Sequence, residues 1–169
     1  DDNNGRVDDL LGWDVADDDD DVSPPPGRED MFYHGTHLAG IVTQILRHAY
    51  GAEASKLVRI LPVKCLADNA DKPYLKDGYK GIQYAVDAGA DIILVAWGEA
   101  YPSPAKLKVL QSAQERGVIV VASAGNTPNE KDQFPAAIPS VLAVSAVDAS
   151  GRKYKDANFG NFVDLMAPG

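Results

Sequence analysis

The chain has 169 residues, 45% of them hydrophobic, a net charge of −9 and a single cysteine, Cys65. That length and apolar content suffice for one domain with a real core, while a lone thiol excludes a disulfide framework and a thiolate-metal site. Residues 1–30 hold 12 of the 25 acidic groups and only 2 of the 16 basic ones, so the acidity is local, and nothing supplies the clustered Lys and Arg that nucleic acid requires.

Residues 1–33 are acidic and rich in turn formers; Pro24-Pro25-Pro26-Gly27 opposes regular structure, and Leu10, Leu11, Trp13 and Val15 form the one apolar cluster. The segment reads as a long ordered loop or a partly disordered arm. From Thr36 onward, Leu38, Ile41, Val42, Ile45, Leu46 and Ala49 recur at helical spacing and Gly51 supplies a stop. Residues 57–66 are apolar and partly β-branched and predict a strand, interrupted in quality by Pro62. Cys65 within it reads as a buried structural thiol. A second helix is predicted between Leu75 and Ala88, ending at Gly89. Asp91 to Trp97 lacks polar alternation and predicts a strand buried on both faces. Ser103 caps a third helix with Pro104 in its first position and Leu107, Leu110 and Ala113 as its stripe. Val118 to Ala122 is a second doubly buried strand and Val141 to Val147 another. This alternation predicts an α/β fold, a three-layer sandwich with a mainly parallel sheet between helices. Residues 1–169 form one domain, with 1–33 as acidic loop region and 34–169 as core; there is no internal repeat. No apolar run reaches the length of a membrane span.

In an open parallel sheet, chemistry gathers at the carboxyl ends of strands and the loops that follow. Two places qualify. In Tyr33-His34-Gly35-Thr36-His37, a histidine stands at a helix entry beside a glycine that permits close approach. Both histidines could equally pack or cap, and a zinc site would need a third ligand, for which only His48, late on the same helix, is at hand. The second place is the apolar run Val118 to Ala122 passing into Ser123-Ala124-Gly125-Asn126. Asn126 either ends the strand in a turn or presents its amide as a preorganised donor to a developing oxyanion. Asp14, Asp17, Asp19, Asp21 and Ser23 read as a solvated acidic run or as oxygens turned toward one calcium ion. Asp2, Asn4 and Asp8 form a fainter version of the same pattern. No glycine-rich phosphate loop joins a strand to a helix, which disfavours a nucleotide-binding domain.

Together these motifs resemble the subtilase family. The resemblance is carried by Gly12-Trp13-Asp14, His34 to Val42, Val63-Lys64, Gly81 to Val86, Gly89 to Ile93, Trp97-Gly98, Val120 to Asn126, Ile138 to Val144 and Ala167-Pro168-Gly169. It implies a subtilisin-like domain, incomplete at both ends, of a serine endopeptidase acting through an Asp/His/Ser triad. His34 would be the general base and Asn126 the oxyanion donor, with His37 structural and buried. No residue matches the triad aspartate and no Gly-Thr-Ser segment occurs, so these residues alone are expected to be inactive. The resemblance places substrate contacts at Ala96, Trp97 and Gly98 facing Ala124 and Gly125, with Tyr74 on the opposite edge. It also implies a structural calcium at Asp14, Asp17, Asp19 and Asp21, a cis bond at Phe134-Pro135, and an extracellular or cell-envelope location. Expected partners are a peptide or protein substrate and a pro-segment or inhibitor, with no nucleic acid and no membrane span. Ala96 replaces the family's usual serine, the loop 68–73 lacks its glycines, and Tyr33 stands where glycine is common. The alternative reading is therefore a non-catalytic subtilase-like module that binds peptides or serves a structural role.

Overall fold

The computed structural model describes Arg6 and residues 11–169. The chain divides into two compact units, Asp1–Tyr84 and Ala85–Gly169.

In the first unit a short strand β1 (Trp13–Asp14) pairs in parallel with β2 (Val63–Lys64). Gly12 makes this approach possible: its φ is +118°, and a Cβ there would run into the Pro62 carbonyl oxygen. That carbonyl accepts the Trp13 N–H at 3.3 Å, and the Lys64 carbonyl accepts the Val15 N–H at 2.9 Å. Trp13, Val15, Leu66, Tyr79, Ile82 and Tyr84 are buried and form the core of this unit. The Arg6 guanidinium lies 4.7 Å from the Trp13 ring centre, a cation–π contact.

Helix α1 runs Glu29–Tyr50. It starts ahead of Thr36 because its first turn carries Glu29 and Asp30 and its last turn Arg47 and His48, charges that complement the helix dipole without any apolar periodicity. Part of the expected 1–33 loop is thus helical. None of its residues is buried. His37, expected to be buried, is exposed, since within this unit α1 packs chiefly against the 3-10 turn Gly51–Glu53 and helix α2 (Ala54–Leu57). The strand expected over 57–66 shrinks to Val63–Lys64: Leu57 closes α2, and Pro62 has no N–H for a ladder. Helix α3 (Gly78–Asp87) holds the unit boundary and ends near Gly89, whose φ is +78°.

The second unit is a parallel four-stranded sheet in the order β3 (Ile92–Val95), β4 (Ile119–Ser123), β5 (Val141–Val147), β6 (Leu165–Pro168). The α/β class and parallel pairing match the sequence reading; β6 was not predicted. Helix α4 (Pro104–Glu115) begins as expected, the Ser103 hydroxyl accepting the Lys106 N–H at 3.5 Å. It buries Leu110 and Ala113. Burial along the strands alternates rather than covering both faces. Ile93, Val95, Val120 and Ala122 are buried, whereas Ile92 is 63% exposed, Leu94 53% and Ile119 53%. Among the described residues, α4 is the one helix lying wholly within 85–169, and a single helix covers a single face.

Candidate active site

In the acidic loop the Asp14 side chain is fully buried. Its Oδ1 accepts the N–H groups of Ala16 at 2.8 Å and Asp17 at 3.1 Å, and its Oδ2 lies 2.7 Å from Lys64 Nζ. Lys64 pairs also with Asp68. Burial pulls the Lys64 pKa down, but the Asp14 and Asp68 carboxylates outweigh it and hold it above the ordinary lysine value. Further along, Asp19 Oδ1 accepts the Asp21 N–H at 3.0 Å and Asp21 Oδ1 the Ser23 N–H at 2.9 Å. The Ser23 N–H and hydroxyl keep the Asp21 carboxyl below its ordinary pKa.

Of the four sequence-predicted ligands the fold brings together Asp14 and Asp17, joined by Asp68, with one carboxylate oxygen from each within 4.8 Å of the others. Asp19 and Asp21 are not in this group, which is the one such cluster among the described residues. Asp68 was missed; it reaches Asp17 from a distant part of the chain, and nothing in the local pattern marks it. Asp2, Asn4 and Asp8 lie outside the described residues. Asp17 Oδ2 accepts the Asp68 N–H at 2.7 Å, and the Arg28 guanidinium donates to the Asp68 and Ala70 carbonyls. The loop leading to Tyr74 is thereby anchored from two sides, while the Tyr74 ring is 81% exposed.

His34 sits in the second turn of α1, exposed, with the Tyr33 ring edge-on to it at a centroid distance of 6.4 Å and an interplanar angle of 84°. No histidine belongs to a candidate metal cluster among the described residues.

In the second unit, the register Val95↔Ala122 sets the ends of β3 and β4 side by side. Ala96-Trp97-Gly98 leaves β3 as Ala124-Gly125-Asn126 leaves β4. Ala124 is completely buried and donates its N–H to the Val144 carbonyl at 2.9 Å; Asn126 is exposed. Between the two segments lies Gln133, which sequence reasoning did not single out. A Cβ on Gly98 would collide with the Gln133 amide, and one on Gly125 would come within 3.4 Å of its Cγ. Gln133 is held there by its neighbour: Phe134 exchanges backbone hydrogen bonds with Glu99 at 2.7 and 2.9 Å, and the Phe134–Pro135 peptide is cis, as expected.

Parallel strands ending in such small-residue loops define an α/β protein of the kind whose site lies at the carboxyl edge of its sheet. The sequence model of the subtilase family matches residues 2–169, and the chain belongs to that family. It is 33% identical over 166 residues to thermitase of Thermoactinomyces vulgaris, an alignment covering 98% of this chain and 56% of thermitase. It is 35% identical to a thermophilic serine proteinase of Bacillus sp. (strain AK1), covering 98% of this chain and 39% of that protein. The chain thus spans little more than half, or less, of the length of these relatives. Among solved structures it resembles the prenylagaramide maturation protease PagA, with a TM-score of 0.58 and 34% identity over 64% of this chain and 42% of that one.

Proposed function

We propose that these residues serve a subtilisin-like serine endopeptidase. The observation that carries the reading is the family match together with its two chemical motifs, His34 on α1 and Asn126 beyond the end of β4. In this reading the His34 imidazole takes the proton of a serine hydroxyl as the serine attacks the scissile carbonyl, and later delivers it to the leaving amine. The Asn126 amide donates to the oxyanion of the tetrahedral intermediate. Ala96, Trp97, Gly98, Ala124 and Gly125 would line the pocket for the side chain before the cut, with Gln133 across it. Tyr74 would bear on the extended substrate. The serine and the triad aspartate find no match in residues 1–169. An extracellular or cell-envelope location and a pro-segment or inhibitor as partner belong to the same reading.

Calcium is proposed at the acidic loop, held by Asp14, Asp17 and Asp68. Three hard carboxylates facing the single Lys64 ammonium leave an excess of negative charge, and an oxygen donor set suits this ion. Its contribution when bound would be structural.

The test is labelling of the full-length protein with a fluorophosphonate, alongside hydrolysis of casein. Covalent labelling and hydrolysis that both fall in H34A support the peptidase. Peptide binding with neither labelling nor turnover would sink it in favour of the non-catalytic module, with which Ala96 and Tyr33 would agree.

A further inference from the structure

One buried residue grips the loop on both sides of Asn126, by its side chain at Thr127 and by its backbone N–H at Gly125. Asn158, between β5 and β6, is 1% exposed. Its Oδ1 accepts the Thr127 N–H at 2.8 Å and lies 3.4 Å from the Thr127 hydroxyl. Its own N–H donates to the Gly125 carbonyl at 3.0 Å. Its carbonyl accepts the hydroxyl of Ser145, a buried residue of β5, at 2.6 Å. The residues immediately before and after Asn126 are therefore bonded to one residue, which is itself fixed to the inside of the sheet. On the Gly125 side the fit is close. Gly125 has φ +104°, and a Cβ there would come within 2.6 Å of Asn158 Nδ2.

The two backbone bonds of Asn158 would survive any side chain, so what asparagine adds is the acceptor for Thr127 and an amide filling the space under Gly125. A buried side-chain amide is retained where its hydrogen bonds are made, and here they are made to the loop that carries Asn126. An oxyanion donor works only when held in place before charge develops. We propose that Asn158 is a positioning residue for Asn126, aiming its amide by clamping Gly125 and Thr127. The role of Asn126 rests on the peptidase reading above; the clamp itself does not.

The experiment uses the full-length protein and five variants, N158L, N158D, N158S, N126A and N158L/N126A, with peptide kinetics and hydrogen exchange at the Thr127 amide as readouts. N158L is expected to lower kcat roughly 10- to 100-fold with KM changed by less than about twofold. N158D, which keeps an acceptor for Thr127, should recover most of the loss. In the N126A background N158L should add nothing, because its effect runs through Asn126. The Thr127 amide should be protected in the parent and in N158D and exchange freely in N158L; N158S, whose hydroxyl is too short for the bond, replaces N158L if that variant does not fold. An equal fall in kcat with and without Asn126, or unchanged Thr127 protection, would overturn the proposal. If the parent shows no inhibitor-sensitive turnover, the peptidase reading fails and the exchange result alone decides the clamp.

Discussion

Replacing Lys64 with methionine strips the counter-charge from a carboxylate that has nowhere else to turn. Asp14 is wholly buried and meets Lys64 Nζ at 2.7 Å, with the Lys64 side chain itself only 7% exposed. In K64M the carboxylate keeps two backbone N–H donors but no cation, and stranding one member of a buried pair costs about 3–5 kcal/mol. Against a typical total of roughly 5–15 kcal/mol that is a large share. The assay is urea denaturation of the full-length protein followed by far-UV circular dichroism, in excess chelator so that no divalent ion takes the place of the ammonium. The double variant D14L/K64M should lose clearly less than the sum of the two single losses, since it leaves no uncompensated charge in the core. The pH dependence has a fixed sign. With the folded pKa of Lys64 above the unfolded value near 10.4, its stabilisation is complete below that value and is lost as pH rises through the folded one. The parent should therefore weaken in that alkaline window, and K64M should lack that component. A loss below about 1 kcal/mol in K64M would refute the reasoning, because a buried uncompensated carboxylate cannot be that cheap.

Chelation of the parent is expected to lower its melting temperature, and identical melting curves with and without chelator would remove the proposed calcium. Burial pushes the Cys65 thiol up to about 12, so iodoacetamide at pH 8 should leave the folded protein unmodified and label it after denaturation. Because the folded state disfavours the Cys65 thiolate, its contribution to stability should decline as pH climbs past the unfolded thiol value near 8.5. G12A should destabilise by more than about 1 kcal/mol, since the left-handed φ and the Pro62 carbonyl both oppose a side chain there; chemical denaturation at neutral pH measures it. S103A should cost only about 0.5–1 kcal/mol in the same assay, the cap bond being long at 3.5 Å.

The class of fold was legible because local signals carried it. The Ser103-Pro104 cap and the glycines at 51 and 89 marked helix ends, and the apolar runs in β3 to β5 had no other good use. What failed were inferences that depend on partners. Apolar runs alone implied burial on both faces, yet Ile92 and Ile119 are open, because periodicity says what a residue can bury and not what is there to bury it. The start of α1 was misjudged since Glu29 and Asp30 act through the helix dipole, which leaves no mark in an apolar pattern. At the site, His34 and Asn126 were visible as motifs, whereas Gln133, Asn158 and Asp68 were not. Gln133 packs against Gly98, Asn158 accepts the Thr127 N–H, and Asp68 gives its own N–H to Asp17; each contact joins residues far apart in the chain, and such contacts have no local sequence signature.

The open face of the second sheet bears on how the second unit behaves when it stands by itself. Ile92 and Ile119 are register partners on neighbouring strands, so their exposed side chains lie side by side, with Leu94 two residues further along the same face. A contiguous apolar strip on a sheet is what drives self-association of exposed β structure. A preparation of residues 85–169 alone should therefore be sensitive to concentration and salt, and charged substitutions at Ile92 and Ile119 are the rational route to keeping it in solution.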